Sequence, residues 1–464
     1  MQSKGSKSAL IIFSTVVFFA VVNGTMINLA LPFVGRDFGV TEGTYGWIST
    51  VYALTFGIFS AINGRIGDIV GMRRLYLSGL AVFGIGAIAV ALSPTIEVAI
   101  ILRAFHGAGA AALPVLGSSM IARLFSPAKR GWAMGIILSV VGVAASIGPF
   151  IGGIVLQNLG WRAVFAFAGL SLFVWPLAYR AIPKTMDTRS KDTTFDFLGA
   201  LLMGSGVSAL IYSFQILKNE GASLSFLIVV GGGFTLLASF WIWINRTKTP
   251  FAPPQILRNK QYLATSFVAF LSNATRFGTI ILVPIFLTEV NHLAPIWTGV
   301  VLVPGAIAIA FLSPKFGKMG SEKGAHYPIF IGTIFLIIGN LVTAFYAGGN
   351  PIGVAVGMGL YGIGFSGIQS PSVTAISLIV PKEITGVGVG IFMMIFFIGG
   401  AFGVATSITA VELQAIDAIS WLGIQGLGDG ARYSNAMLVL TGLAFLGLSL
   451  NPLIPRKGAA QIVL

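Results

Sequence analysis

Gly64-Arg65-Ile66-Gly67-Asp68-Ile69-Val70-Gly71, with Met72-Arg73-Arg74 behind it, is the stretch on which the reading of this chain turns. Gly317-Lys318-Met319-Gly320-Ser321-Glu322-Lys323-Gly324 repeats its glycine spacing 253 residues later. Each reads as a short polar loop between two long apolar runs. Pro127-Ala128-Lys129-Arg130-Gly131 is echoed in the same way by the segment from Pro381 to Gly386. Matching order in both places predicts a chain of two similar halves, an architecture common among membrane carriers.

The apolar runs decide the class. Of 464 residues, 56% are hydrophobic and 9% charged, with a mean hydropathy of +0.92. Soluble domains average about 25% charged residues, so this chain cannot cover a water-facing surface of its size. A membrane helix needs about 20 mainly apolar residues. By that measure fourteen spans are predicted, the first seven near 9–33, 45–63, 75–93, 98–121, 131–157, 162–182 and 197–217. The others lie near 224–245, 262–288, 296–314, 327–347, 352–375, 387–411 and 434–454. Sixty glycines and 36 phenylalanines suit such helices, since glycine lets helix backbones approach closely. The chain has no cysteine, which excludes disulfides, thiolate metal sites and thiol nucleophiles.

The net charge of +14 is spread over short loops between apolar runs. A nucleic-acid surface would instead be a dense basic patch on a soluble module, so no nucleic-acid partner is expected. The first run, from about Ser8 to Phe33 behind Lys4 and Lys7, outlasts the roughly 7–15-residue core of a signal peptide and reads as a retained span. With the N-terminus inside, 22 of the 28 basic residues fall in inside segments, 4 in outside segments, and Arg103 and Arg276 within spans. That excess obeys the positive-inside rule and predicts two cytoplasmic termini.

Four motifs then carry a resemblance. Gly64 to Arg73 resembles the signature G-x-L-a-D-r-x-G-r-k of the major facilitator superfamily, between spans 2 and 3. Arg103-Ala104-Phe105-His106-Gly107-Ala108-Gly109 resembles its R-x-x-Q-G-x-G, and Gly148-Pro149-Phe150-Ile151-Gly152-Gly153 matches G-P-x-x-G-G, typical of its antiporters. Asn23-Gly24-Thr25-Met26-Ile27-Asn28-Leu29-Ala30-Leu31-Pro32 resembles the span 1 motif D-G-T-I-V-N-V-A-L-P of fourteen-span drug:proton antiporters, and Arg103 to Arg123 is similar to Gram-positive tetracycline exporters. Three positions depart from the pattern: Asn23 stands for the acid, His106 for the glutamine, and Ile69 and Met72 for basic residues.

The resemblance implies an all-α polytopic membrane protein of the major facilitator fold. Residues 1–190 and 251–464 would form two six-helix bundles, with two inserted spans and their flanking loops at 191–250. It also implies a transporter, not an enzyme, in a bacterial plasma membrane. The chain would need no cofactor and work as a monomer in the lipid bilayer, exchanging a small-molecule substrate for protons.

Residue types refine this expectation. Gly64, Asp68, Gly71, Arg73 and Arg74 form a candidate cytoplasmic latch, in which the Asp68 carboxylate caps a helix N-terminus and pairs with an arginine. Gly148, Pro149, Gly152 and Gly153 remove bulk and one backbone donor from span 5, giving a contact able to move. A charge within a span is a functional-site hypothesis by default, which singles out Arg103 and Arg276. Candidate substrate-binding residues are Asn23, Thr25, Asn28, Arg103, His106, Asn273 and Arg276, with aromatic walls from Trp47, Tyr52 and Phe56. His106, Glu289, Glu412 and Asp68 are the candidate proton carriers, and no carboxylate is placed at mid-depth. Export of amphipathic molecules is the leading reading; the alternative is a carrier of an anionic metabolite or lipid-like anion, for which two arginines without a mid-membrane acid are the expected lining. No H-E-x-x-H metal site and no phosphate loop of an ATP-driven pump is present.

Overall fold

The computed structural model describes residues 4–40, 42–125, 127–187, 195–250, 252–381, 384–414, 421–422 and 430–456. Among them the chain is helical nearly throughout and forms no strand, only an isolated bridge between Gly324 and Arg456. Twelve helical stretches among the described residues are long and apolar enough to cross a membrane. The other two predicted spans, 45–63 and 131–157, fall on helix α2 (Glu42–Val70) and on the first part of α5 (Pro127–Ala166).

Contacts divide the chain into two compact units. The first comprises Met1–Thr193, Ser313–Lys318 and Lys382–Met394; the second comprises Thr194–Leu312, Met319–Pro381 and Ile395–Leu464. In the first, α1 (Lys4–Phe38) packs along α5, and α4 (Ile96–Leu124) packs against both α2 and α3 (Met72–Ala91). Helix α5 kinks at Gly160, with φ 79°, and the chain passes through a 3-10 stretch, Phe167–Val174, into the short α6 (Trp175–Ala181). Span 6 is thus a composite whose middle is wound more tightly.

The second unit opens with α7 (Phe197–Glu220) and α8 (Leu224–Ile244), which pack on each other. Asp196 caps α7 by accepting from Gly199 N at 2.8 Å, and also accepts from Trp243 Nε1 at 2.8 Å, so one carboxylate ties the start of α7 to the end of α8. The short α9 (Pro254–Arg258) leads to α10 (Lys260–Glu289), whose Asn259 cap accepts from Tyr262 N at 2.9 Å. Then follow α11 (Pro295–Lys323), α12 (His326–Phe345), α13 (Pro351–Ile379), α14 (Thr385–Glu412) and α15 (Gly430–Ser449). The broadest contact is between α12 and α13. There a side chain at Gly332 would run into the backbone of Gly364 and Gly367, so backbone meets backbone, as expected where lipid gives no hydrophobic drive to association.

The two diagnostic stretches of sequence are not loops. Helix α2 continues to Val70 and α11 to Lys323, so Gly64, Gly67, Gly317 and Gly320 are all helical. Only the last glycine of each breaks the helix: Gly71 at φ 105°, ψ 130° and Gly324 at φ 88°, ψ 152°. L-residues rarely adopt such φ values, and both halves spend a glycine at the same place for the same bend.

Candidate functional site

Two clusters of polar groups lie inside the units, one in each. In the first, Arg103 and His106 project from one face of α4, a turn apart. The Arg103 Nη1 donates to His106 Nδ1 at 2.5 Å, so the neutral imidazole carries its proton on Nε2. The guanidinium lies 3.9 Å from the Tyr52 ring centroid and 5.6 Å from that of Phe165. Tyr52 and Phe83 also flank the imidazole, at 5.4 and 4.8 Å between centroids. Arg103 is 2% exposed and His106 0%, and neither forms an ion pair among the described residues. A charge at the centre of a span costs about 2.5–3.5 kcal/mol on insertion scales, an upper bound for Arg103, which stands short of the centre of the span Ile96–Ile121. A desolvated cation–π contact contributes about 2 kcal/mol, so the rings offset most of that cost.

Close helix approach assembles the cluster. A side chain at Gly107 would overlap Thr55 Oγ1 and lie 2.9 Å from the Tyr52 carbonyl oxygen, so Gly107 lets α4 come down on α2 and brings Arg103 over Tyr52. A Cβ at Gly86 would stand 3.2 Å from the His106 Cα. Both contacts follow from glycine spacing on neighbouring helices.

Asn23, on α1, is fully buried, and its Nδ2 donates to the carbonyl oxygens of Val164 and Phe165 at 3.4 and 3.5 Å. An ionised aspartate there would turn acceptors toward two acceptors. Asn23 is therefore matched to its surroundings as an amide, and it acts as a tie between helices. Thr25 Oγ1 donates back to Val21 and Val22 of its own helix. Gly148 sits against Thr25 and Gly152 against Met26, whereas a side chain at Gly153 would meet nothing within 4 Å. The α1–α5 contact thus uses positions one turn apart, and Gly153 is not part of it. The side chains of Asn28, Asp68 and Pro149 lie outside those described.

The second cluster is centred on α10. Asn273 is buried and its Nδ2 donates to Phe396 O at 2.8 Å. Gly399 and Gly403 of α14 lie against Phe270 and Ala274 of α10 with no room for a side chain. Arg276 is half-buried, its guanidinium 4.8 Å from the Phe365 centroid and 5.4 Å from that of Phe277. Thr279 Oγ1 donates to Asn340 Oδ1 at 3.0 Å. Both arginines therefore rest on aromatic rings. Each cluster also keeps buried polar atoms without a partner: Arg103 Nε, His106 Nε2 and Asn23 Oδ1 in one, Arg276 Nε, Asn340 Nδ2, Asn273 Oδ1 and the Tyr361 hydroxyl in the other. Such orphaned atoms are costly unless something else meets them. Asn340, Tyr361 and Phe365 were not among the sequence candidates, although an asparagine within an apolar run was a readable signal.

Elsewhere the structure adds charged contacts and shows the surroundings of two expected proton sites. Asp187, not a sequence candidate, accepts from Arg74 N at 3.1 Å at the start of α3 and lies 3.7 Å from Arg73 Nη1. A side chain at Gly71 would come within 3.0 Å of the Asp187 Cα, so glycine is required there twice over. Glu289 is exposed, and its Oε2 accepts from the Tyr433 hydroxyl at 2.8 Å. Glu412 is likewise exposed at the end of α14. Near the end of α1, Asp37 Oδ2 accepts from Arg162 Nη1 at 2.6 Å and Trp161 Nε1 at 3.0 Å. The Arg162 bond foremost, then that of Trp161, holds this carboxyl below its ordinary value.

Known proteins resemble the chain over most of its length. It is 30% identical over 408 residues, 86% of this chain and 75% of the other, to the multidrug resistance protein Stp of Mycobacterium tuberculosis. It is 25% identical over 402 residues, 85% and 86% of the two chains, to the riboflavin transporter RibZ of Clostridioides difficile. In fold it is similar to the human organic anion transporter MFSD10, with TM-score 0.65 at 13% identity over 97% of this chain and all of that one. The family model described as Major Facilitator Superfamily matches residues 13–404, and with the helical build above this places the chain, a multi-pass membrane transporter and not an enzyme, in the Major Facilitator Superfamily.

Proposed function

We propose that the chain exports amphipathic small molecules or drugs by alternating access, as a proton antiporter of the bacterial plasma membrane. The reading includes fourteen crossings, as the apolar runs predict, two cytoplasmic termini, which the charge tally supports, and two bundles at 1–190 and 251–464 with inserted spans at 191–250, as the family resemblance implies. The observation that carries the reading is the Arg103–His106 pair, wrapped in aromatic rings and left with unpartnered polar nitrogens. Aromatic surface with a few polar atoms is the lining that amphipathic ligands require. The multidrug resistance relative supports this substrate class. Glu289 is the favoured proton carrier, with Glu412, His106 and Asp68 as the other candidates. It lies 13 residues from Arg276 on α10, about 20 Å along the helix, so the two would communicate by helix movement. The Gly64–Arg74 segment and the α1–α5 contact at Gly148 and Gly152 supply the moving parts.

A second reading, a carrier of an anionic metabolite or lipid-like anion, is favoured by Arg103 and Arg276 lacking an ion pair among the described residues. Proteoliposomes assayed with lipophilic cations, neutral drugs and organic anions, with and without a pH gradient, separate the two. Drug export requires gradient-driven uptake of cations or neutral compounds that Glu289→Gln abolishes while downhill exchange persists. Accumulation of anions alone, lost in Arg276→Ala, would establish the second reading.

A further inference from the structure

On one side of the first unit, the start of α3, the 3-10 turn Lys184–Asp187 and α6 enclose a cleft of about 670 Å³. One end is cationic, with Arg73, Arg74 and Lys184 against the single carboxylate of Asp187. Part of that charge is committed. Arg73 is buried, donates from Nε to Ile182 O at 2.9 Å and from Nη2 to Tyr179 O at 2.7 Å, and lies beside Asp187. Arg74 differs: its side chain is 59% exposed with Nε 3.8 Å from Asp187, a solvated pair that holds it weakly. Lys184 is exposed and forms no hydrogen bond or ion pair among the described residues. Two cations remain for a ligand.

The other end is apolar. Leu77 and Ala81 form its floor and Trp175 its wall. Trp175 is fixed twice, by donating from Nε1 to Leu77 O at 3.0 Å and by stacking on Tyr179 at 5.6 Å. Beyond Ser78 the same face of α3 continues through Val82, Ile85 and Ile88, all exposed. Positions 74, 78, 82 and 85 recur at helical spacing, so a single outward stripe runs from cation to hydrocarbon. The stripe begins where the span Met72–Ala91 begins, with the Trp175 indole against its first turns, and indoles are enriched where spans meet the membrane boundary.

We propose that this cleft binds an anionic phospholipid, with the headgroup phosphate held by Arg74 and Lys184 and an acyl chain laid along Leu77 and Ala81 against Trp175. A soluble phosphate ester satisfies the cationic end only; the fixed indole and the apolar stripe ask for the chain as well. Delipidated full-length protein, titrated with phosphatidylglycerol, phosphatidylcholine or glycerol 3-phosphate and read by native mass spectrometry, tests this. Phosphatidylglycerol is expected to be preferred over phosphatidylcholine. Each cation at an anionic lipid is worth about fivefold, so Lys184→Ala lowers the preference about fivefold and Arg74→Ala with Lys184→Ala removes it. Lys184 ties nothing together in the fold, so its variant reports on the ligand and not on folding. Equal retention of the two lipids by the unaltered protein, or an unchanged preference in the double variant, overturns the proposal. Competition by glycerol 3-phosphate at lipid-equivalent concentration would make it a site for free phosphate esters and overturn the lipid reading.

Discussion

Replacing Gly148, Gly152 and Gly153 one at a time by alanine separates helix contact from mere glycine content. Gly→Ala within a helix gains about 0.5–1 kcal/mol from reduced backbone freedom. At Gly153 the new methyl meets nothing within 4 Å, so that gain is the whole expected effect. At Gly152 the methyl would lie 2.9 Å from Met26 Cγ and 3.1 Å from Met26 Cα. Carbon atoms are at ease near 3.5–4.0 Å, so α1 must withdraw by roughly half an ångström there. Overpacking of that kind costs about 1–3 kcal/mol, for a net loss of about 0–2.5 kcal/mol. At Gly148 the methyl overlaps Thr25 Oγ1 and lies 3.1 Å from its Cβ and 3.3 Å from Val22 O. A β-branched threonine is stiff at χ1, so this variant should lose most. Thermal unfolding in detergent is expected to rank Gly153→Ala at or above the unaltered protein, Gly152→Ala below it and Gly148→Ala lowest. Thr25→Ala added to Gly148→Ala removes the overlapping atom and should recover at least about 1 kcal/mol of the overpacking. If Gly153→Ala is as damaging as Gly148→Ala, or the second substitution restores nothing, the α1–α5 contact is not what the motif serves.

Asn23→Asp leaves the Val164 and Phe165 carbonyls without a donor and should cost about 1–3 kcal/mol of stability; unchanged thermal unfolding would show that these bonds carry nothing. Asp187→Ala removes the cap of α3 and both arginine contacts, and a loss of about 1–2 kcal/mol is expected, again read by unfolding. Because the folded Asp37 carboxyl is held below its ordinary value of 3.8, its tie to Arg162 is present above that pH. It is lost only as pH falls through the lower folded value. Trp161 emission should therefore stay constant down to about that pH and change below it, and Asp37→Asn should abolish the acid transition; a transition unaffected by Asn would assign it elsewhere.

Much of the fold was legible because its physics is local. A run of about 20 apolar residues has one stable form in a bilayer, so each predicted span falls on helix. Gly71 and Gly324, which hold the same place in the glycine repeat, break their helices with similar φ and ψ. Composition could not show where a helix stops. The polar stretches after spans 2 and 10 read as loops, yet helix continues through both until a glycine turns left-handed, since residues at a membrane boundary can be polar and helical at once.

Partnership was the part only tertiary structure decided. Arg103 and His106 were legible as neighbours on α4, but the Tyr52, Phe83 and Phe165 rings reach them from other helices. Asp187 caps α3 and pairs with Arg73 and Arg74 from more than 110 residues away, a contact that no spacing along the chain announces. Of three motif glycines, two touch α1 and one touches nothing, a difference set by which way each Cα faces the neighbouring helix. Spacing along one helix is a property of the chain itself; what stands opposite a given face depends on how the helices pack.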